Sequence, residues 1–161
     1  MSDIEFLKTA VPRANTDLRR VDSLLEEMGR LDVEPLRRAR LAQAVLHADP
    51  QCIDGYVVLA QHTKTDAEAI ALLKEAVRLG AEHWGQQSRT EQVSWWHDVA
   101  TRSYLRALLG LSIAFARAGD EEAAQAALTF LLQLDPDDHL HATYCDGAPV
   151  GDDDASPIHR R

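Results

Sequence analysis

Apolar side chains recur along this chain at steps of three and four residues, the spacing that lines one face of a helix. The pattern is clearest over residues 105–138. Leu105, Leu108, Leu111, Phe115 and Ala118 form one stripe; Ala124, Ala127, Leu128, Leu131 and Leu134 form a second. Between them, Gly119 supplies a position able to take positive φ and end a helix. Asp120 suits the N-cap of the next helix, with Glu121 and Glu122 at its positive end. Asp135-Pro136 stops the second stripe, because proline lacks an N–H and disfavours helix at the residue before it. The pattern predicts two helices joined by a tight turn, with small Ser112 and Ala124 where they approach.

The rest of the chain carries weaker versions of the same signal. Ser2-Asp3-Ile4-Glu5 has capping-box spacing and predicts a short helix ended by Pro12. A helix from near Thr16 would turn Leu18, Val21, Leu25 and Met28 inward and close at Gly29. A third follows, with Pro35 in its tolerated first turn. Its Leu36, Leu41, Val45 and Leu46 would face inward; Arg37, Arg38 and Arg40 would face water or an acidic partner. It ends at Asp49-Pro50. Residues 53–80 form a second helix pair around Tyr56, Leu59, Ala60, Ala69, Leu73 and Ala76, with a short turn at Thr63-Lys64-Thr65-Asp66. An insertion over residues 81–101 holds all three tryptophans, Trp84, Trp95 and Trp96, and should pack back on the helices, since exposed indoles are sticky. Ser88-Arg89-Thr90-Glu91 within it again has capping-box spacing. His139 begins a further helical stretch that Gly147 and Pro149 cut short. The domain is read as residues 1–146, and residues 147–161 as an acidic, disordered tail.

Residues 105–138 resemble a tetratricopeptide repeat (TPR), a 34-residue helix-turn-helix unit. Leu111-Ser112, Phe115, Gly119-Asp120, Ala124 and Asp135-Pro136 match its positions, while Leu108 replaces the usual early tryptophan and Leu131 a late alanine. The alternative is an unrelated antiparallel helix pair. Residues 53–80 fit as a second copy if about three residues are deleted at the turn. The order of features over residues 40–140 is most similar to the TPR-like suppression-of-tumorigenicity family and its bacterial relatives. Asp49, Pro50, Cys52, Tyr56, Leu59, Ala60, Thr101, Arg102, Tyr104, Arg106, Ala107, Gly110 and Leu111 carry that resemblance. It implies an all-α fold, a short TPR-like solenoid of antiparallel helix pairs, and no catalytic residues. Two clear repeats are fewer than the usual three, so the N-terminal pair and the tryptophan insertion, or a second copy of the chain, must cap the ends.

Charge narrows the partners. The formal net charge of −9 is concentrated: residues 1–119 carry 16 acidic and 15 basic side chains, residues 120–161 carry 10 and 2. An acidic end repels phosphate backbones, which argues against nucleic acid. It either attracts a basic partner or keeps the chain soluble. No apolar run is long enough to span a membrane. The opening MSDIEFLKTAVPR lacks the pattern of a signal peptide, and Cys52 and Cys145 make no disulfide framework. The expectation is a cytoplasmic protein.

Chemistry is sparse. No phosphate loop, HExxH, paired CxxC or nucleophile signature occurs. His97-Asp98 places an imidazole beside a carboxylate, but neighbours on a helix point about 100° apart, so adjacency makes no dyad. His139, His141, Cys145 and His159 include zinc-ligating types without the tight, ordered spacing of a structural site. No metal or cofactor is expected. The expected role is a non-catalytic scaffold or adaptor that binds another protein or peptide, with self-assembly into a homodimer as the alternative and a small enzyme using the His97 region as a third. The resemblance implies a concave groove lined by Arg106, Leu109, Ile113 and Arg117 from the clear repeat and by Asp54, Val57 and Gln61 from the weaker one. The chaperone-binding subclass reads a carboxylate with Lys, Asn and Arg at groove positions; no Asn occupies them here. The mixed apolar and basic lining points to an acidic–apolar peptide or helix.

Overall fold

The computed structural model describes residues 18–85 and 95–142. The helix expected at Ser2, the capping box at residues 88–91, the tail at residues 147–161, and Cys145 and His159 lie outside them. The described residues are all-α, with six helices and no strand: α1 (Leu18–Met28), α2 (Pro35–Ala48), α3 (Ile53–Ala60), α4 (Asp66–Trp84), α5 (Arg102–Arg117) and α6 (Glu121–Leu134). A single 3₁₀ turn, Val99–Thr101, leads into α5. Each helix packs on the next in the chain, and α3 also packs on α5. Among the described residues no helix is long and apolar enough to cross a membrane.

Local chemistry sets most of the boundaries. Pro35 occupies the first turn of α2, where its missing N–H has no helical partner to lose. Thr65 caps α4, its hydroxyl accepting from the Glu68 amide at 3.2 Å, and Asp66 and Glu68 complement the helix dipole. Gly119 takes φ +82°, a conformation that favours glycine, and Asp120 caps α6 by accepting from the Ala123 amide at 3.1 Å. The Ser112 hydroxyl, buried between α5 and α6, donates to the Ala124 carbonyl at 2.9 Å. The two small residues therefore meet where the helices approach.

Two apolar clusters share α5. One joins Met28, Ala42, Leu46, Tyr56, Leu59, Leu73, Ala76, Ala107 and Leu111 across α1 to α5. The other joins Trp95, Tyr104, Leu105, Leu108, Leu128, Leu131, Leu134 and Ala142 on the far flank of α5. Trp95 is buried and Trp84 and Trp96 pack against this second cluster, so the described tryptophans do fold back on the helices. Trp84 and Trp95 stand 6.1 Å and 5.9 Å from the Tyr104 ring, centroid to centroid.

Several boundaries and facings differ from the periodicity. Leu18 and Leu36 are 66% and 64% exposed, and Ala118 is also exposed. Each lies in or just beyond a terminal turn, where an apolar stripe runs past its packing partner. Helix α4 continues through Gly80 to Trp84, four residues into the expected insertion. Tyr104 lies so close to Gly80 that a Cβ there would be 2.1 Å from its Cδ2, so the glycine serves helix contact rather than helix termination. No α-helix forms over residues 139–142. Asp138 and His141 have φ of 49° and 52°, and the buried Asp135 carboxylate holds the turn by accepting from the His139 amide at 2.8 Å and meeting its Nδ1 at 2.6 Å.

Candidate peptide-binding cleft

Helices α3 and α5 lie side by side over α4, leaving an open cleft of about 240 Å³. Its α5 wall is Arg106, Leu109, Gly110, Ile113, Ala114 and Arg117; its α3 wall is Val57, Ala60 and Gln61; Ala69 and Leu73 of α4 lie beneath. The α5 wall follows from helical spacing, since steps of three and four residues keep Arg106, Leu109, Ile113 and Arg117 on one face. The middle of the cleft is apolar and an arginine stands at each end.

The structure brings six of the seven expected groove residues, Arg106, Leu109, Ile113, Arg117, Val57 and Gln61, into this one cleft. The seventh, Asp54, lies beside it. Its Oδ1 is 3.9 Å from the Arg106 guanidinium, and its Oδ2 accepts from the Ser103 hydroxyl at 2.6 Å, tying the start of α3 to that of α5. At the other end the Arg117 guanidinium is 2.6 Å from Asp66 Oδ1, an ion pair without hydrogen-bond alignment. The Arg106 and Arg117 side chains are 48% and 65% exposed, so these pairs are weak and each fork retains free donors. Sequence reasoning missed Ala60, Ala69, Leu73, Gly110 and Ala114. The small residues among them carry a legible signal: on adjacent helices they leave room that a larger side chain would fill.

The other chemical candidates are occupied with local structure. His97 is exposed, and the Asp98 carboxylate accepts from the Ala100 amide at 2.9 Å to cap the 3₁₀ turn, so the two do not form a dyad. His139 stacks on Trp96 at 5.2 Å and is held by Asp135. Among the described residues no three potential metal ligands converge. Arg37 pairs with Glu27, and Arg38 donates to the Arg30 carbonyl at 2.8 Å, so these arginines join α2 to α1 and its following loop. Burial pushes the Cys52 thiol up to about 11, which leaves it protonated and unreactive near neutral pH.

No protein-family model matches the chain, and neither a curated protein nor a solved structure matches it.

Proposed function

We propose that this chain is a TPR-like protein-interaction module, a short solenoid of antiparallel helix pairs that holds a peptide or helix of a partner protein in the α3–α5 cleft. The observation that carries the reading is the cleft itself: its two walls come from α3 and α5, each the first helix of a helix pair, α3–α4 and α5–α6, with α4 beneath. The packing of α3 on α5 is what neighbouring repeats need. The lining suits a bound segment with apolar side chains at its centre and carboxylates toward its ends. Apolar contacts would supply most of the affinity, and guanidinium–carboxylate pairs the register.

Photocrosslinking tests this reading. A photoreactive phenylalanine analogue at Ile113, in the full chain and its own cell, should trap a protein whose crosslinked peptide mass spectrometry can read. The same label at exposed Glu122, on the far helix of the pair, should not trap it. Equal capture at both positions would move the binding surface away from the cleft. Recovery of this chain's own peptides from a second copy would turn the assignment to a homodimer.

A further inference from the structure

The apolar centre of the cleft is built from small residues. Val57 and Ala60 of α3 stand across from Gly110 and Ala114 of α5. Gly110 has no side chain, and Leu73 of α4 reaches the space this leaves: a Cβ at Gly110 would stand 3.0 Å from Leu73 Cδ2. The centre is therefore a slot floored by one leucine rather than a surface of projecting side chains. The cleft volume of about 240 Å³, compared with about 150 Å³ for an enclosed apolar cavity that binds benzene, has room for one ring system.

Arg106 decides which kind of side chain suits the slot. It lies one turn before Gly110 on α5, and its partner Asp54 lies one turn before Val57 on α3. At 3.9 Å the pair is longer than a hydrogen bond. Carboxylates meet a guanidinium at its N–H edge, whereas aromatic rings stack on its flat face. Pairing with Asp54 therefore holds Arg106 beside the slot and leaves its face for a ring. Arg102, one turn before Arg106 on the same helix, shows both uses at once. Its Nε donates to the Trp96 carbonyl at 2.8 Å while its guanidinium lies 4.7 Å from the Trp96 ring centroid.

We propose that the slot between Val57 and Gly110 takes one aromatic side chain of the partner, stacked against the Arg106 guanidinium and resting on Leu73. The inference rests on the cleft being a peptide site and names the class of side chain that anchors the peptide. An aliphatic side chain would enter the same slot but gain nothing from the guanidinium face. Stacking of a ring on an exposed arginine raises affinity by about 2- to 5-fold, and the larger apolar area of the ring adds to it.

The test titrates the full chain with N-acetyltryptophanamide and, separately, with N-acetylleucinamide, each read by amide NMR. The two probes share a backbone and differ only in the side chain. The tryptophan probe should shift the amides of Val57, Gly110 and Ile113, with a dissociation constant on the order of millimolar, as suits a ligand of its size. It should bind about 10-fold more tightly than the leucine probe. Arg106→Gln should cut that preference by about 2- to 5-fold. The dispersed amide spectrum of the variant reports that it is folded, and the comparison of probes needs no substitution. No binding, equal affinities, shifts centred away from the cleft, or a preference unchanged by Arg106→Gln overturns the proposal. So does a segment trapped at Ile113 that holds no aromatic residue. Capture itself is read separately: capture intact without aromatic preference overturns this inference alone, and aromatic binding with no trapped partner overturns only the partner-binding reading.

Discussion

At the scale of single residues, three buried side chains connect sequence to stability. Leu111 is 7% exposed in the cluster that joins α5 to α3 and α4. Leu111→Asp would strand an unpaired charge there, and such burial falls among the few changes costing more than about 4 kcal/mol. Against a total stability on the order of 5–15 kcal/mol, the expected outcome is a chain that unfolds or aggregates, seen as lost helical circular dichroism. Ser112→Ala is a milder test. It removes one buried hydroxyl bond to a carbonyl that still accepts within α6, so the loss should be about 1 kcal/mol in a denaturant titration. Tyr56 donates to the Pro50 carbonyl at 3.0 Å, and burial pushes its phenol up to about 12. A raised folded-state pKa contributes stability that is complete below the unfolded value of 10.0 and is lost as pH rises toward about 12. Cys52 adds the same sign of effect between 9.0 and about 11. The unfolding midpoint should therefore fall steadily above pH 9, and Tyr56→Phe should flatten the upper part of that fall. An unchanged alkaline profile in the variant would remove the assignment to Tyr56.

At the scale of elements, the contact between α4 and α5 turns on Gly80. Glycine inside an exposed helix costs about 1 kcal/mol relative to alanine, so Gly80→Ala would stabilise a free helix. Here the added Cβ would stand 2.1 Å from Tyr104 Cδ2, and Tyr104 is itself packed between Trp84 and Trp95. Overpacking of this kind costs about 1–3 kcal/mol, so steric strain should exceed the propensity gain. The expected outcome is a lower thermal midpoint for Gly80→Ala, with rescue by Tyr104→Leu, which removes the ring. A raised midpoint in the single variant would mean that α4 and α5 do not approach so closely. The same contact explains why α4 runs four residues longer than its repeat pattern predicts. Trp84 completes the aromatic group around Tyr104, and that burial holds the last turn.

At the scale of the whole molecule, the binding role proposed for the cleft can be tested apart from folding. Arg106 and Arg117 are largely exposed, and their pairs with Asp54 and Asp66 are surface interactions of about 0–1 kcal/mol each. Replacing both by glutamate places like charges beside those aspartates, so the melt should shift by only a few degrees. Truncating a buried partner of a charge pair across an interface costs about 2–5 kcal/mol, and reversal adds repulsion. The double variant should therefore lose crosslinked partner at Ile113 while keeping its helical signal. Full capture by a folded double variant would place the binding surface elsewhere, with the half-buried Trp96 face the next to probe.

Helices, turns and caps were legible in the chain because their causes are local. Gly119, Asp120 and Asp135-Pro136 act within one turn, and the Leu105, Leu108 and Leu111 stripe needs only a period of 3.6 residues to be read. The α5 wall of the cleft was legible for the same reason, as was the role of Ser112 and Ala124. Periodicity says which face of a helix is apolar; it does not say how far the neighbouring helix extends. Exposure of Leu18, Leu36 and Ala118 was decided by where the packing partner ends. The extension of α4 through Gly80 was decided by Tyr104, twenty-four residues away in sequence. Likewise the pairing of Asp54 with Ser103 and Arg106, and the floor that Ala69 and Leu73 give the cleft, depend on α3, α4 and α5 meeting in three dimensions. Those contacts join residues whose separation along the chain carries no signal, and only the tertiary structure determines them.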